Sequence, residues 1–395
     1  MTSRLSLAQV LKDAEVFVDG DWVESKDQDP DGDVRLIQLA DIGDGYFIDK
    51  SSRYLTKDKA KLLRCTFLKE GDILIARMPD PLGRACIFPK MKQECVTVVD
   101  VCIIRPNPKT TDSRWLMHCI NSEIMRNQIN SYISGATRQR ISRGNLSRIK
   151  IDFPPLEEQR RIASILDKAD EIRQKRQQAI AKLDELLQAT FIDMFGDPIS
   201  NLKKLKLKKL SEVGIISTGN TPSRADEDNY GNFIEWIKSD NLNNDCDIAT
   251  QSTEYLSEKG KQKGRVVPYG SILVTCIAGS LNCIGNLAIV DREVAFNQQI
   301  NAITPNKNIQ TEYLYYLLKV SKPIIQSFST NSMKGMISKS TFSQIELPIA
   351  PSEQQLKFVG IFNKFSDLKD KANKELSDLD NLFNALQQKA FSETL

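Results

Sequence analysis

Histidine is almost missing from this chain, and the gap excludes much enzyme chemistry. The single copy, His118, lies beside Trp115, Leu116 and Met117 on a probable amphipathic helix. Histidine is the usual general base and a frequent metal ligand. A lone one on such a face reads as a packed or surface residue rather than a catalyst. The eight cysteines form no C-x-x-C pair, so zinc sites of ordinary spacing are excluded and the thiols read as small buried hydrophobes. Neither a G-x-G-x-x-G run nor a G-x-x-x-x-G-K-[ST] run occurs, which leaves no phosphate cradle. The Asn-Pro-Pro-Tyr and Asp-Pro-Pro-Tyr tetrapeptides of amino-group methyltransferases are absent too. Glu24-Ser25-Lys26 matches half of a nuclease carboxylate–lysine pair, a match of the kind chance produces. No apolar run approaches the roughly 18 residues that span a bilayer, and Met1 to Leu5 have no signal-peptide core. A cytoplasmic location is expected. The net charge of +3 is too small to mark a nucleic-acid binder by itself.

The chain does contain a repeat. At 395 residues it is long enough for two or three domains, and its halves carry matching blocks in matching order. Leu36-Ile37 and Asp41-Ile42 answer Trp236-Ile237 and Asn241-Leu242. Tyr54-Leu55-Thr56 answers Tyr255-Leu256-Ser257, Gly71 to Ala76 answers Gly270 to Thr275, and Ile141-Ser142-Arg143 answers Ile337-Ser338-Lys339. Each half ends in a long helical segment introduced by a Glu-Gln pair, Glu158-Gln159 and Glu353-Gln354. A duplication of this kind decides the fold before any other signal. It implies a pseudo-two-fold arrangement, which suits DNA because the duplex backbone has approximate two-fold symmetry.

Four segments follow. Residues 1–153 and 198–349 alternate short apolar runs with turn residues and read as largely β units carrying a few helices. Within them, Leu146 to Ile151 and Phe342 to Leu347 alternate as half-buried strands do. Residues 154–197 and 350–395 read as helices of about 38 residues, each roughly 57 Å long. Pro154-Pro155 places the first start, and Gly196 with Pro198 places its end. The first apolar stripe reads Ile162, Ile165, Ala169, Ile172, Ala179, Leu183, Leu186, Thr190. The second reads Ile361, Phe365, Leu368, Ala372, Leu376, Leu379, Phe383, Leu386, Ala390. These are heptad seams, and two stripes of that length cover each other best as an antiparallel coiled coil. The alternative is that each helix packs only on its own globular unit. The fold class is α+β.

Basic residues cluster where contacts with nucleic acid are plausible. Arg138, Arg140, Arg143, Arg148 and Lys150 fall within thirteen residues with no acid among them, interleaved with Thr137, Gln139 and Ser142. Arginine suits guanine or phosphate, and glutamine suits adenine. The second copy places Lys334, Ser338 and Lys339 there. A solvated loop is the competing reading. Arg77 and Arg84 add basic character in the first unit; Arg224, Lys238, Lys259, Lys261, Lys263 and Arg265 add it in the second. Lys203 to Lys209 read as an edge strand whose lysines block further pairing.

At this point the chain resembles the specificity subunits of type I restriction–modification systems. The resemblance rests on Phe153-Pro154-Pro155-Leu156-Glu157-Glu158-Gln159-Arg160-Arg161-Ile162, its continuation through Leu183 to Asp197, and the similar second run Leu347 to Gln355. Gly219-Asn220-Thr221-Pro222-Ser223, Ile337-Ser338-Lys339 and Gly71 to Leu74 add to it. The first half lacks a sequence counterpart of Gly219 to Ser223. The resemblance implies two tandem target-recognition domains, each reading one half of a bipartite DNA site. It implies a helical pair that sets the spacer and docks two methyltransferase subunits. Restriction and translocase subunits would complete the assembly. The chain would be non-catalytic and bind no cofactor, with S-adenosylmethionine, ATP and Mg²⁺ held by the partners. Asn220, Thr221 and Lys238 join the expected DNA contacts, and no metal site is expected.

Overall fold

Glutamine side chains set where both long helices begin. The computed structural model describes residues 3–133, 139–242, 246–330 and 335–392. The first long helix runs Leu156–Phe195 and the second Ser352–Phe391. Gln159 is fully buried; its amide donates to Pro154 O and Thr110 O, and its oxygen accepts from Asp112 N. Gln355 repeats the arrangement with Ala350 O and Gln310 N. The true counterpart of Gln159 is therefore Gln355, one residue beyond the Glu353-Gln354 pair that resembles it in sequence. Gly196, with φ of 80°, ends the first helix as expected.

The chain divides into two units, Met1–Gln177 with Lys374–Leu395, and Gln178–Asn373. Each has a four-stranded antiparallel sheet of the same order. In unit 1 it is Val16–Asp19, Val101–Arg105, Ile73–Ala76, Ala85–Ile87; in unit 2, Gly214–Thr218, Ile300–Pro305, Ile272–Thr275, Leu287–Ile289. Strand Ile73–Ala76 is buried on both faces. Successive strand side chains point to opposite faces, so Ile73 and Ile75 enter a core with the helices, while Leu74 and Ala76 enter one with Ile37, Phe88 and Cys95. Ile272 and Val274 divide from Leu273 in the same way. A second sheet pairs Val34–Ile37 in parallel with Cys95–Thr97 in unit 1, and Tyr230–Ile237 with Val294–Phe296 in unit 2.

Two sequence expectations shift by a few residues. Leu146 to Ile151 is a short helix, Arg143–Arg148, capped by Ser142, followed by strand Lys150–Phe153. Phe342 to Leu347 likewise divides into helix Lys339–Gln344 and strand Glu346–Ile349. Alternation over so few residues fits a helix end as well as a strand. Lys206–Lys209 is a strand, paired with Glu346–Ile349.

In unit 1, Ile162, Ala163 and Leu166 of the first long helix share a core with Phe383 and Phe391 of the second and with Trp115, Leu116 and Ile120. In unit 2, Leu187, Phe191 and Phe195 share one with Phe358, Phe362 and Tyr313. Each helix therefore packs both on the other helix and on a globular unit, and within each unit the two run antiparallel. The first seam differs from expectation. Ile165, Ile172 and Leu186 are exposed, whereas Leu166, Leu187 and Phe191 are buried. Arg173 faces inward, its guanidinium 4.5 Å from the Phe383 ring centre and 2.7 Å from Asp380. Counting apolar residues misses that face because charged pairs hold part of it. The same pair recurs in unit 2 as Lys369 with Asp184, also at 2.7 Å. In the second helix Phe358 and Phe362 are buried, and Leu368 is exposed.

Candidate nucleic-acid interface

A tight backbone crossing occurs at the end of the first strand of the main sheet in both units. Gly20 N donates to Val101 O and Asp21 N to Thr97 O, at 2.7 and 2.8 Å. Gly219 N donates to Ile300 O and Asn220 N to Phe296 O, both at 3.1 Å. A Cβ on Gly20 would overlap the Val98 carbonyl, and one on Gly219 the Asn297 carbonyl, so only glycine fits. The next side chain pins a neighbouring loop: Asp21 accepts from Thr66 N at 2.8 Å, and Asn220 from Arg265 N at 2.6 Å. Gly20 to Glu24 is thus the structural counterpart of Gly219 to Ser223. The sequence does not reveal it, because Asp21-Trp22-Val23 shares no side chain with Asn220-Thr221-Pro222.

This crossing organises a surface that recurs with the same backbone and different side chains. In unit 2, Arg224 lies 4.7 Å from the Tyr230 ring centre and 5.3 Å from that of Trp236, and meets Glu254 at 2.8 Å. Lys238 also pairs with Glu254 and lies 5.3 Å from the Trp236 ring centre. Lys238 first, and then Arg224, holds the Glu254 carboxyl below its usual range through hydrogen bonds that favour the charged form. Thr221 Oγ1 bonds Gln298. Asn220 Nδ2 donates to Lys263 O at 2.8 Å. Asn220→Asp keeps the acceptor for Arg265 N and removes this donor. An expected cost of about 1 kcal/mol is measurable as a shifted urea midpoint, and an unchanged midpoint would contradict the bracing role. Lys259 and Lys263 bind Asp226, and Lys261 binds Glu293, so this basic surface is largely neutralised.

Other expected contacts divide by burial. Arg77 and Arg84 are 3% and 7% exposed and do not belong to a surface. Arg84 donates to the carbonyls of Ile42, Leu39, Met78 and Pro81. Arg77 pairs with Asp19 at 3.3 Å and donates to Val99 O and Ile141 O. Burial lowers the pKa of both guanidinium groups. Arg143 donates to Phe17 O, and Arg140 pairs with Asp100 at 3.1 Å. Ser142 and Ser338 cap short helices, accepting from Asn145 N and Thr341 N. Gln139 and Lys339 are exposed. Thr137, Arg138 and Lys334 lie outside the described residues.

Six of the eight cysteines behave as the expected small buried hydrophobes, whereas Cys246 and Cys283 are exposed. Cys65, Cys86, Cys95, Cys102, Cys119 and Cys276 are buried. Burial raises the thiol pKa of Cys102, Cys119 and Cys276 to about 12. His118 is buried in unit 1 against Phe383, with Nε2 2.7 Å from Asp167. Among the described residues, no group of three His, Cys, Asp or Glu side chains could hold a metal ion. No helix of the described residues is long and apolar enough to cross a membrane.

The sequence matches the type I restriction modification DNA specificity domain over residues 13–182 and 203–379, so the chain belongs to that family. It is 34% identical over 186 residues to the type I restriction enzyme HindI specificity subunit of Haemophilus influenzae. That match covers 44% of this chain and 39% of the subunit. The fold is similar to the type I restriction-modification S subunit of M. genitalium, with a TM-score of 0.55 at 15% identity, covering all of this chain and 97% of that one. It is also similar to a chain from a structure on complex assembly and conformational transition of a type I R-M system. There the TM-score is 0.58 at 18% identity, covering all of this chain and 98% of the other.

Proposed function

We propose that this chain is the sequence-specific DNA-binding subunit of a type I restriction–modification complex, each unit reading one half of a bipartite target. The observation that carries this reading is the duplicated crossing at Gly20 and Gly219, which holds one backbone frame in both units while the side chains around it differ. A frame kept constant beneath variable side chains is what reading two different half-sites requires. Gln139, Arg140, Arg143, Thr221, Arg224, Lys238 and Lys339 remain the contacts assigned to DNA. The long helices set the spacer between half-sites and dock two methyltransferase subunits. Exposed Ile165, Ile172 and Leu382 in unit 1, and Leu186, Leu356 and Leu368 in unit 2, give the helices apolar surface with which to dock. Restriction and translocase subunits complete the complex. The chain performs no chemistry itself; S-adenosylmethionine, ATP and Mg²⁺ act on the partners. Its location is the cytoplasm.

Mapping methylated bases in cells that co-express the chain with methyltransferase subunits tests this. A bipartite motif with an unspecified spacer is expected, together with DNA affinity that falls steeply as salt rises. A contiguous motif, or methylation by the purified chain alone, would overturn the reading.

A further inference from the structure

Unit 1 contains an open cavity of about 670 Å³ whose lining includes Trp22, Gln38, Arg53 and Asp100. Each residue has a counterpart in the unit 2 surface, fixed by chain position and by shared main-chain donors. Trp22 follows Asp21 as Thr221 follows Asn220. Gln38 N donates to Asp41 as Lys238 N donates to Asn241. Leu36 N donates to Arg53 O as Trp236 N donates to Glu254 O. Arg77 N donates to Asp100 O as Cys276 N donates to Gln299 O. The cavity therefore occupies the position where unit 2 gathers Arg224, Lys238 and Glu254, but its chemistry is unlike theirs.

Trp22 is 68% exposed, held at its rim by a 3.2 Å bond from Nε1 to Glu24. Arg53 is exposed and makes no ion pair with a described residue. The indole, the amide and the guanidinium line one cavity, and the indole and guanidinium stand largely open to solvent there. Large aromatic and arginine side chains left in this way mark interfaces. The three groups together match base edges: an apolar ring for a thymine methyl or an unstacked base, an amide for adenine, and a guanidinium for guanine or phosphate. We infer that Trp22, Gln38 and Arg53 form the base-reading surface of unit 1, with Trp22 its main specificity determinant. This inference rests on the proposed DNA-reading function and assigns it to residues that carry none of the sequence's basic clusters.

The test uses the assembled methyltransferase complex carrying Trp22→Ala, Trp22→Phe or Arg53→Ala. Selection from DNA randomised in each half-site is measured alongside melting temperature. Trp22→Ala is expected to relax one or two base pairs of one half-site roughly tenfold and leave the other half-site unchanged. Trp22→Phe should retain part of the preference, and all three variants should melt like the parent because the side chains are exposed. If Trp22→Ala and Arg53→Ala both keep full selectivity in both halves, the inference fails while the DNA-reading function stands. Equal relaxation of both halves also defeats it. A parent complex with no sequence selectivity defeats the function and the inference together.

Discussion

Phe191→Ala is expected to destabilise unit 2 by about 3–5 kcal/mol, the range for truncating a fully buried phenylalanine. Phe191 has no exposed surface, and its ring centre lies 4.8 Å from that of Phe195, 5.0 Å from Phe358 and 5.2 Å from Tyr316. Those rings come from the first long helix, the second long helix and the helix Thr311–Val320. One deletion therefore opens a cavity where three elements meet, which cannot close without moving one of them. Urea unfolding should show a lower midpoint for unit 2, while Phe391→Ala should act through the core of unit 1. A loss below about 1 kcal/mol would mean that the site relaxes freely, contrary to dense packing.

Arg84→Ala should cost about 1–3 kcal/mol, the range for leaving a buried acceptor without its donor. Four carbonyl oxygens accept from this guanidinium, and the substitution strands those that water cannot reach. The expected signature is a lower melting temperature for unit 1 with half-site preference retained in the surviving fold. Normal stability with weakened DNA binding would return Arg84 to the surface. Arg84→Lys should recover little, because one ammonium cannot reach carbonyls spread around a planar fork.

Gly71 to Ala76 and Gly270 to Thr275 align by eye, and both copies are buried strands of equivalent sheets. The long helices were legible from their prolines, their glycine and their length. Which face packs was not, since Arg173 and Lys369 occupy seam positions through acid partners far away in sequence. Basic residues were counted as surface, yet Arg77 and Arg84 serve the interior, because charge alone does not reveal which carbonyls need a donor. Trp22 carries no such signal in the sequence. Its importance depends on aligning Gly20 with Gly219, and that equivalence is carried by backbone bonds.

Unit 1 is assembled from residues far apart in the chain, with Phe383 and Phe391 in the same core as Leu7 and Trp115. Unit 2, by contrast, is the one uninterrupted stretch Gln178–Asn373. The core of unit 1 is complete only when the second long helix is present. A released chain truncated before Lys374 would therefore keep every residue of unit 2 and lack Phe383 and Phe391 from the core of unit 1.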